Sequence, residues 1–266
     1  MPILIVAGYS LFDNVIVERN PSFVGLENYL TLFGSPEFWT AVANTAGYTV
    51  ATVGGHFLLG LGFALLLSHR RLHRLSRALF RAIYILPWVF TASVVAVVWR
   101  LILDANGVLN WLLLAAGVIQ EAVPWLATPS TAMASVVVIS VWAGYPIYLV
   151  SVLAGLQGIP AELYEAAMVD GAGPISRFAY VTLPGLRPVL YSMTLLDTLW
   201  TTQQFTLIWA TTGGGPLNVT EMLSTFTYRF AFGSYQFSLA STSAIIVLVV
   251  SLLVSVLYVR SQRADR

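Results

Sequence analysis

Asp197 is the one acid in the otherwise uncharged run between Arg187 and Glu221. Trp200, Thr201 and Gln204 follow it at i+3, i+4 and i+7, so on a helix the four share one face. An acid, two neutral hydrogen-bonding side chains and an indole on one stripe suit a hydroxylated solute. The polar groups exchange hydrogen bonds with hydroxyls, and the ring covers an apolar face. The plainer account of the same stripe is polar glue between helices. A second set, Ser140, Gly144, Tyr145 and Tyr148, is spaced three and four apart in the uncharged run between Glu121 and Glu162, where Pro146 is expected to kink the helix and open room. Core packing is an equal alternative for Tyr145 and for Tyr148. His69 and His73 stand at i, i+4 without a third ligand nearby. They read as solvated loop residues, so no metal site is assigned. His56 is expected to be packed or hydrogen-bonded within its span. The chain has no cysteine, hence no disulfide, thiolate ligand or cysteine nucleophile. It also has no lysine, so it holds no ATP in a Walker A site. No catalytic residue is assigned.

These residues must be positioned by membrane helices. Apolar residues make up 58% of the chain and charged residues 9%, against about 25% charged in a soluble domain. A helix needs about 20 apolar residues to cross about 30 Å of hydrocarbon. The charge-poor runs predict five full helical spans, at roughly 41–67, 82–103, 132–157, 186–210 and 240–259. Each run is apolar on all faces without period-two alternation, which favours helices over a barrel. Met1 to Val17 is apolar except for Asp13 and too short to cross. It lacks the basic start and small-residue cleavage site of a secretory signal. It is expected to be the outer part of a first span whose beginning is missing. Residues 107–120 predict an interfacial helix, being too short to span. No repeat or low-complexity segment appears, and residues 1–266 read as a single transmembrane domain. Asp197, ten residues beyond Arg187, lies about 15 Å along its helix, near the midplane.

Arginine sets the orientation. Arg70, Arg71, Arg74, Arg77 and Arg81 fall between the first two of these spans, Arg177 in the insert before the fourth, Arg187 at the start of the fourth, and Arg260, Arg263 and Arg266 at the end. Six-span parity puts these ten on one side, with Arg19, Arg100 and Arg229 on the other. Cytoplasmic loops carry the excess of basic residues, so 160–184 and the C-terminus are expected in the cytoplasm. The basic stretch 70–81 reads as a topology determinant, and no nucleic-acid partner is expected.

Residues 160–184 form a polar insert between two spans. Pro160 suits the first turn of a helix, where Glu162 and Glu165 lie near the favourable N-terminal end. Asp170-Gly171 is expected to end that helix, with Gly171 as its C′ residue. Residues 174–182 are expected to form a second short helix, broken at Leu183-Pro184. Glu162 and Glu165 share a face, and Ala166 and Ala167 keep the surface shallow enough for a partner's groove to close over it.

The spacing of this insert resembles the "EAA" signature of permease subunits in binding-protein-dependent ABC importers. Its positions are Glu165, Ala166, Ala167, Gly171, Val181, Leu183 and Pro184. Every one matches, with Val181 where the family often has Ile. Phe23 to Tyr29 resembles the "FVGLxNY" segment of sugar-type permeases. Ile85-Leu86-Pro87 resembles the "LP" that opens a span, and Thr212 to Pro216 a "T-GGGP" turn. The last points to the carbohydrate branch and its maltose- and glycerol-phosphate-type first permease. Taken by itself that turn is a tight external turn.

The resemblance implies an all-α, six-span type I ABC importer permease fold in a bacterial or archaeal plasma membrane. It implies a second permease subunit, two ATP-binding subunits, an extracytoplasmic solute-binding protein and a carbohydrate substrate, besides lipid. ATP and Mg would sit on the ATPase subunits, with no cofactor on this chain. Glu162, Glu165, Ala166, Ala167, Asp170 and Gly171 would couple to the ATPase. Solute contacts are expected near Ser140, Gly144, Tyr145, Tyr148, Asp197, Trp200, Thr201 and Gln204. A permease for polyamine, phosphonate or sulfate is the alternative within transport. An intramembrane enzyme or a single-chain channel is a weaker one, lacking a catalytic set or a filter.

Overall fold

A computed structural model describes residues 2–68 and 73–264. His69, Arg70, Arg71 and Arg266 lie outside them. The described chain is a run of helices: α1 Pro2–Tyr9, α2 Glu27–Gly34, α3 Pro36–Ser68, α4 Arg74–Val89, α5 Ala92–Ile102, α6 Val108–Ala115, α7 Pro129–Gln157, α8 Ala161–Val169, α9 Pro174–Arg177, α10 Leu183–Thr202, α11 Thr206–Thr211, α12 Leu223–Tyr228 and α13 Phe237–Ala264. Three of these, α3, α7 and α13, are long and apolar enough to cross a membrane. Helix α6 takes the place of the expected interfacial helix.

Two expected spans are interrupted. The run 82–103 is not one helix. Helices α4 and α5 meet at a 100° bend, and the pair counts as one span only if taken as broken. Pro87 removes a backbone donor in the last turn of α4, and Phe90 is extended. The Thr91 hydroxyl then caps α5 by accepting from the Val94 N–H at 3.4 Å. The run 186–210 is also two helices, since α10 stops at Thr202 and the chain restarts as α11. Thr198 and Thr202 donate their hydroxyls to carbonyls four residues back, at 2.6 and 2.7 Å. Such bonds compete with the helical ladder and favour bending or ending it.

The expected break at Leu183-Pro184 is absent. Helix α9 runs through a π-helical stretch, Phe178–Thr182, directly into α10. There the Leu183 N–H reaches back five residues to the Phe178 carbonyl. This wider turn relieves the clash that the Pro184 ring would make in a regular helix.

The bundle holds two apolar clusters on either side of a polar layer. One contains Tyr48, Val95, Val136, Ile139, Leu207 and Ile208. The other contains Ala64, Leu67, Leu149, Val152, Leu186 and Leu190. Helices α3 and α7 approach closely between them. A Cβ on Gly60 would collide with Tyr148 Cβ and lie 3.0 Å from the Leu149 nitrogen, whereas Gly62 faces open space. Small residues at such crossings let helices pack in a membrane without a water-driven force. Gly60→Ala is expected to destabilise the purified protein by about 1–3 kcal/mol through overpacking. Gly62→Ala should be neutral or slightly stabilising. Thermal unfolding of the two variants in the same detergent checks this contrast.

Candidate functional site

The polar layer is built by three helices. Helix α10 brings Asp197, which is buried. Its Oδ1 accepts from the Thr201 hydroxyl at 3.1 Å, the i+4 neighbour on its own helix. Its Oδ2 lies 2.8 Å from His56 Nδ1 on α3. His56 Nε2 lies 2.9 Å from the Ser140 carbonyl oxygen on α7. The Ser140 hydroxyl lies 2.5 Å from the hydroxyl of Tyr48, two turns before His56 on α3. One imidazole therefore ties α3 to both α7 and α10. Gly144 makes this possible, because a Cβ there would collide with the His56 ring.

Beside this layer lies a cavity of about 300 Å³. Ser140, Gly144, Asp197, Trp200, Thr201 and Gln204 all line it. Six of the eight residues expected near a solute thus come together. Trp200 is 56% exposed, so its ring is available rather than packed. Gln204 lies beyond the end of α10, yet its backbone N–H still bonds to the Thr201 carbonyl at 3.1 Å, which keeps it in register with the stripe. Tyr145 and Tyr148 do not line the cavity. Tyr148 is fully buried, with its ring tilted against His56 and edge-on to Phe57 and its hydroxyl 3.4 Å from that of Thr194. Tyr145 packs edge-on to Phe63 in the second apolar cluster. Both stand on the α7 surface that α3 approaches, where glycines on α3 leave no gap.

His56, Tyr48 and Thr52 were missed as members of the site. The signal was present: they stand four apart in an uncharged run, so they share one face of α3. The aromatic wall made by Trp88 and Phe90 was missed because it depends on the α4–α5 bend.

The insert folds largely as its spacing demands. Pro160 is the N-cap of α8 rather than its first helical residue. Gly171 takes φ +78°, open to glycine at no steric cost. Its N–H donates to the Met168 carbonyl at 3.0 Å, and that of Ala172 to the Ala167 carbonyl at 2.8 Å, a Schellman ending. The Tyr164 hydroxyl sits 2.9 Å from that of Thr182 and tethers α8 to the foot of α10. Glu162, Glu165, Ala166, Asp170 and Gly171 are exposed, and Ala167 is half-buried.

At the opposite end, the Gly213–Pro216 turn folds around an ion pair of Glu221 and Arg229. Arg229 also donates to the Gly213 carbonyl at 3.3 Å and to Asn218 Oδ1 at 3.1 Å. Burial raises the pKa of Glu221 against the pull of Thr225 and Arg229. The described residues bring no three His, Asp or Glu side chains together as a metal site.

Among the described residues, an all-helical bundle with several helices long and apolar enough to cross a membrane and a polar cavity between them is the architecture of a multi-pass membrane protein. A family model described as "Binding-protein-dependent transport system inner membrane component" matches residues 56–264, and the chain belongs to that family. It is a multi-pass membrane protein and a transport subunit rather than an enzyme. It is 34% identical over 267 residues to the trehalose/maltose transport system permease protein MalF of Thermococcus litoralis, covering 100% of this chain and 88% of the relative. It is 35% identical over 235 residues to the lactose transport system permease protein LacF of Rhizobium radiobacter, covering 87% and 78%. Its fold is similar to a chain of a bacterial ABC transporter involved in the import of the acidic polysaccharide alginate. The TM-score is 0.85 at 21% identity, over 98% of this chain and 89% of that one.

Gly144→Ala is expected to push the His56 ring off the Ser140 carbonyl. It should cost about 1–3 kcal/mol of stability and lower transport beyond what the lost protein explains. Uptake normalised to folded protein in the membrane separates the two effects.

Proposed function

We propose that this chain is the membrane-spanning permease subunit of an ATP-driven sugar importer and forms half of the translocation pathway. The observation that carries this is the 300 Å³ cavity, where Asp197, Thr201 and Gln204 offer hydrogen-bonding groups beside the open indole of Trp200. Hydroxyls need such donors and acceptors, and the apolar face of a sugar ring needs an aromatic surface. The sugar names of the relatives support the same substrate class.

In this proposal an extracytoplasmic binding protein delivers solute to the end that bears the Gly213–Pro216 turn. A second permease subunit completes the pathway, and two ATPase subunits dock at α8 and α9. ATP and Mg reside on those subunits. The insert fits docking. Val169 and Ile175 are 87% and 84% exposed, and Glu162, Glu165 and Asp170 surround them with charge. Arg77, Arg81, Arg177, Arg187 and Arg260 lie on helices that end or begin at the insert's side of the bundle. The basic excess argues for that side, with the C-terminus, being cytoplasmic.

Co-purification with an ATPase, and solute-stimulated ATP hydrolysis by the reconstituted complex with its binding protein across a sugar panel, test the proposal. Glu165→Lys and Gly171→Arg are expected to reduce uptake at least about ten-fold at normal expression, a loss of about 1.4 kcal/mol or more in coupling. Asp197→Ala and Gln204→Ala should impair uptake while leaving the complex assembled. Undiminished uptake in both insert variants, or no associated ATPase, would sink the importer assignment. Loss of assembly in the Asp197 and Gln204 variants would make the polar stripe glue instead.

A further inference from the structure

The hydrogen bonds of His56 count the protons on it. The Ser140 carbonyl oxygen can only accept, so at 2.9 Å the His56 Nε2 must carry a hydrogen and donate it. On the other side, His56 Nδ1 and Asp197 Oδ2 stand 2.8 Å apart. Two bare lone pairs repel at that distance, so one proton lies between them. If the proton is on nitrogen, the pair is imidazolium and carboxylate. If it is on oxygen, the pair is imidazole and carboxylic acid. The net charge is zero either way. The other side chains lining the cavity, Tyr48, Thr52, Trp88, Phe90, Trp200 and Gln204 among them, carry no formal charge.

We infer that His56 is a specificity-determining residue: it neutralises Asp197 within the pair, so that the cavity offers hydrogen-bonding groups without net charge and takes an uncharged hydroxylated solute. This rests on the proposal that the cavity lies on the solute path. A bare carboxylate in the same place would instead hold a cation and retard its release, and would be expensive at membrane depth. Gly144 is part of the device, since the ring reaches the Ser140 carbonyl only across a missing Cβ. Thr201 completes it by donating to the second carboxylate oxygen.

The absence of native cysteine allows a direct test. Ala143, which lines the cavity, is replaced by cysteine in the intact complex. Its modification by a trimethylammonium-bearing and a sulfonate-bearing methanethiosulfonate of similar size is then followed by the mass of this chain. The ratio of the two rates is divided by that of a free thiol in the same buffer. A unit charge within about 10 Å at an effective dielectric of about 20 shifts that ratio more than ten-fold. A neutral pair predicts a normalised ratio within about three-fold of one, unchanged when Asp197→Asn is added. Gln204→Glu, which places an unpaired carboxylate in the cavity, is expected to raise it at least ten-fold and calibrates the readout. A ratio already raised ten-fold that collapses in Asp197→Asn would overturn the inference, because Asp197 would then be bare. A ratio lowered to the same extent would overturn it in the other direction, leaving an unneutralised imidazolium. If neither reagent reaches the cysteine, the cavity is off the aqueous path, and the pathway proposal fails together with the inference built on it.

Discussion

A polar group at membrane depth has no water to bond with and must find its partners inside the bundle. The His56–Asp197 contact is where this chain meets that requirement most severely, and much of the packing follows from it. The imidazole has to lie within hydrogen-bond range of a carboxylate on α10 and a carbonyl on α7 at once. That fixes α3 against two helices in register. It also requires glycine at position 144, because the ring occupies the space a side chain would take. Apolar clusters flank the layer, one toward the insert and one toward the Gly213–Pro216 turn.

The same helices connect the polar layer to the insert. Helix α7 carries Ser140 and Gly144 and ends at Gln157, and α10 carries Asp197 and begins at Leu183. At 1.5 Å per residue the insert lies about 20–25 Å from the layer along each helix. The two legs lock together just before it. A Cβ on Gly155 would lie 2.9 Å from Leu186 Cδ2, and one on Gly185 would lie 2.8 Å from Ile159 Cδ1. The Tyr164–Thr182 hydroxyl contact closes the corner. A hairpin of two long helices with a tied corner is rigid enough to serve the coupling proposed for the insert. The π-helical stretch at Phe178–Thr182 adds to this, since it carries Pro184 without a break and leaves α9 continuous with α10.

How much of this could be read from residues alone depended on whether the signal was local. The Asp197–Trp200–Thr201–Gln204 stripe was legible because a helix repeats every 3.6 residues, and the cavity collects all four. The ending of α8 at Gly171 was legible because only a residue tolerant of positive φ closes a Schellman turn cheaply. The breaks after Val89 and Thr202 were not, although Thr91, Thr198 and Thr202 mark them. In an apolar run the composition of a bent pair equals that of a straight span, and only the caps and hydroxyl back-bonds distinguish them. Tyr145 and Tyr148 shared the helical period of Ser140 and Gly144, but periodicity does not say which neighbour a face meets. That was decided by Gly60, on another helix. The partner of Asp197 was non-local in the same sense. His56 stood out as the imidazole of an uncharged run, yet nothing in its own segment named an acid 141 residues away.

Replacing a buried pair of ionisable groups by well-packed hydrocarbon often leaves a protein as stable or more so. Stability alone is therefore a weak account of the pair, and the proposal gives it a role beside the cavity. Both ring nitrogens are engaged, each on a different helix, and a hydrogen bond weakens steeply beyond about 3.2 Å. Helix α3 thus cannot slide more than about an ångström relative to α7 or α10 without exposing a polar atom to an apolar bundle. Any widening of the cavity must either move the three helices together or supply replacement partners. A hydroxylated solute supplies them, since each hydroxyl both donates and accepts. It can take the place of the imidazole at the carboxylate, or of the carboxylate at the imidazole, without leaving either unsatisfied. An apolar solute has no such group to offer, and an ion would bring a charge the layer has no counter-charge to meet. If the cavity is the solute path, as proposed, the rigidity of the layer and its fit to hydroxyls have the same physical origin.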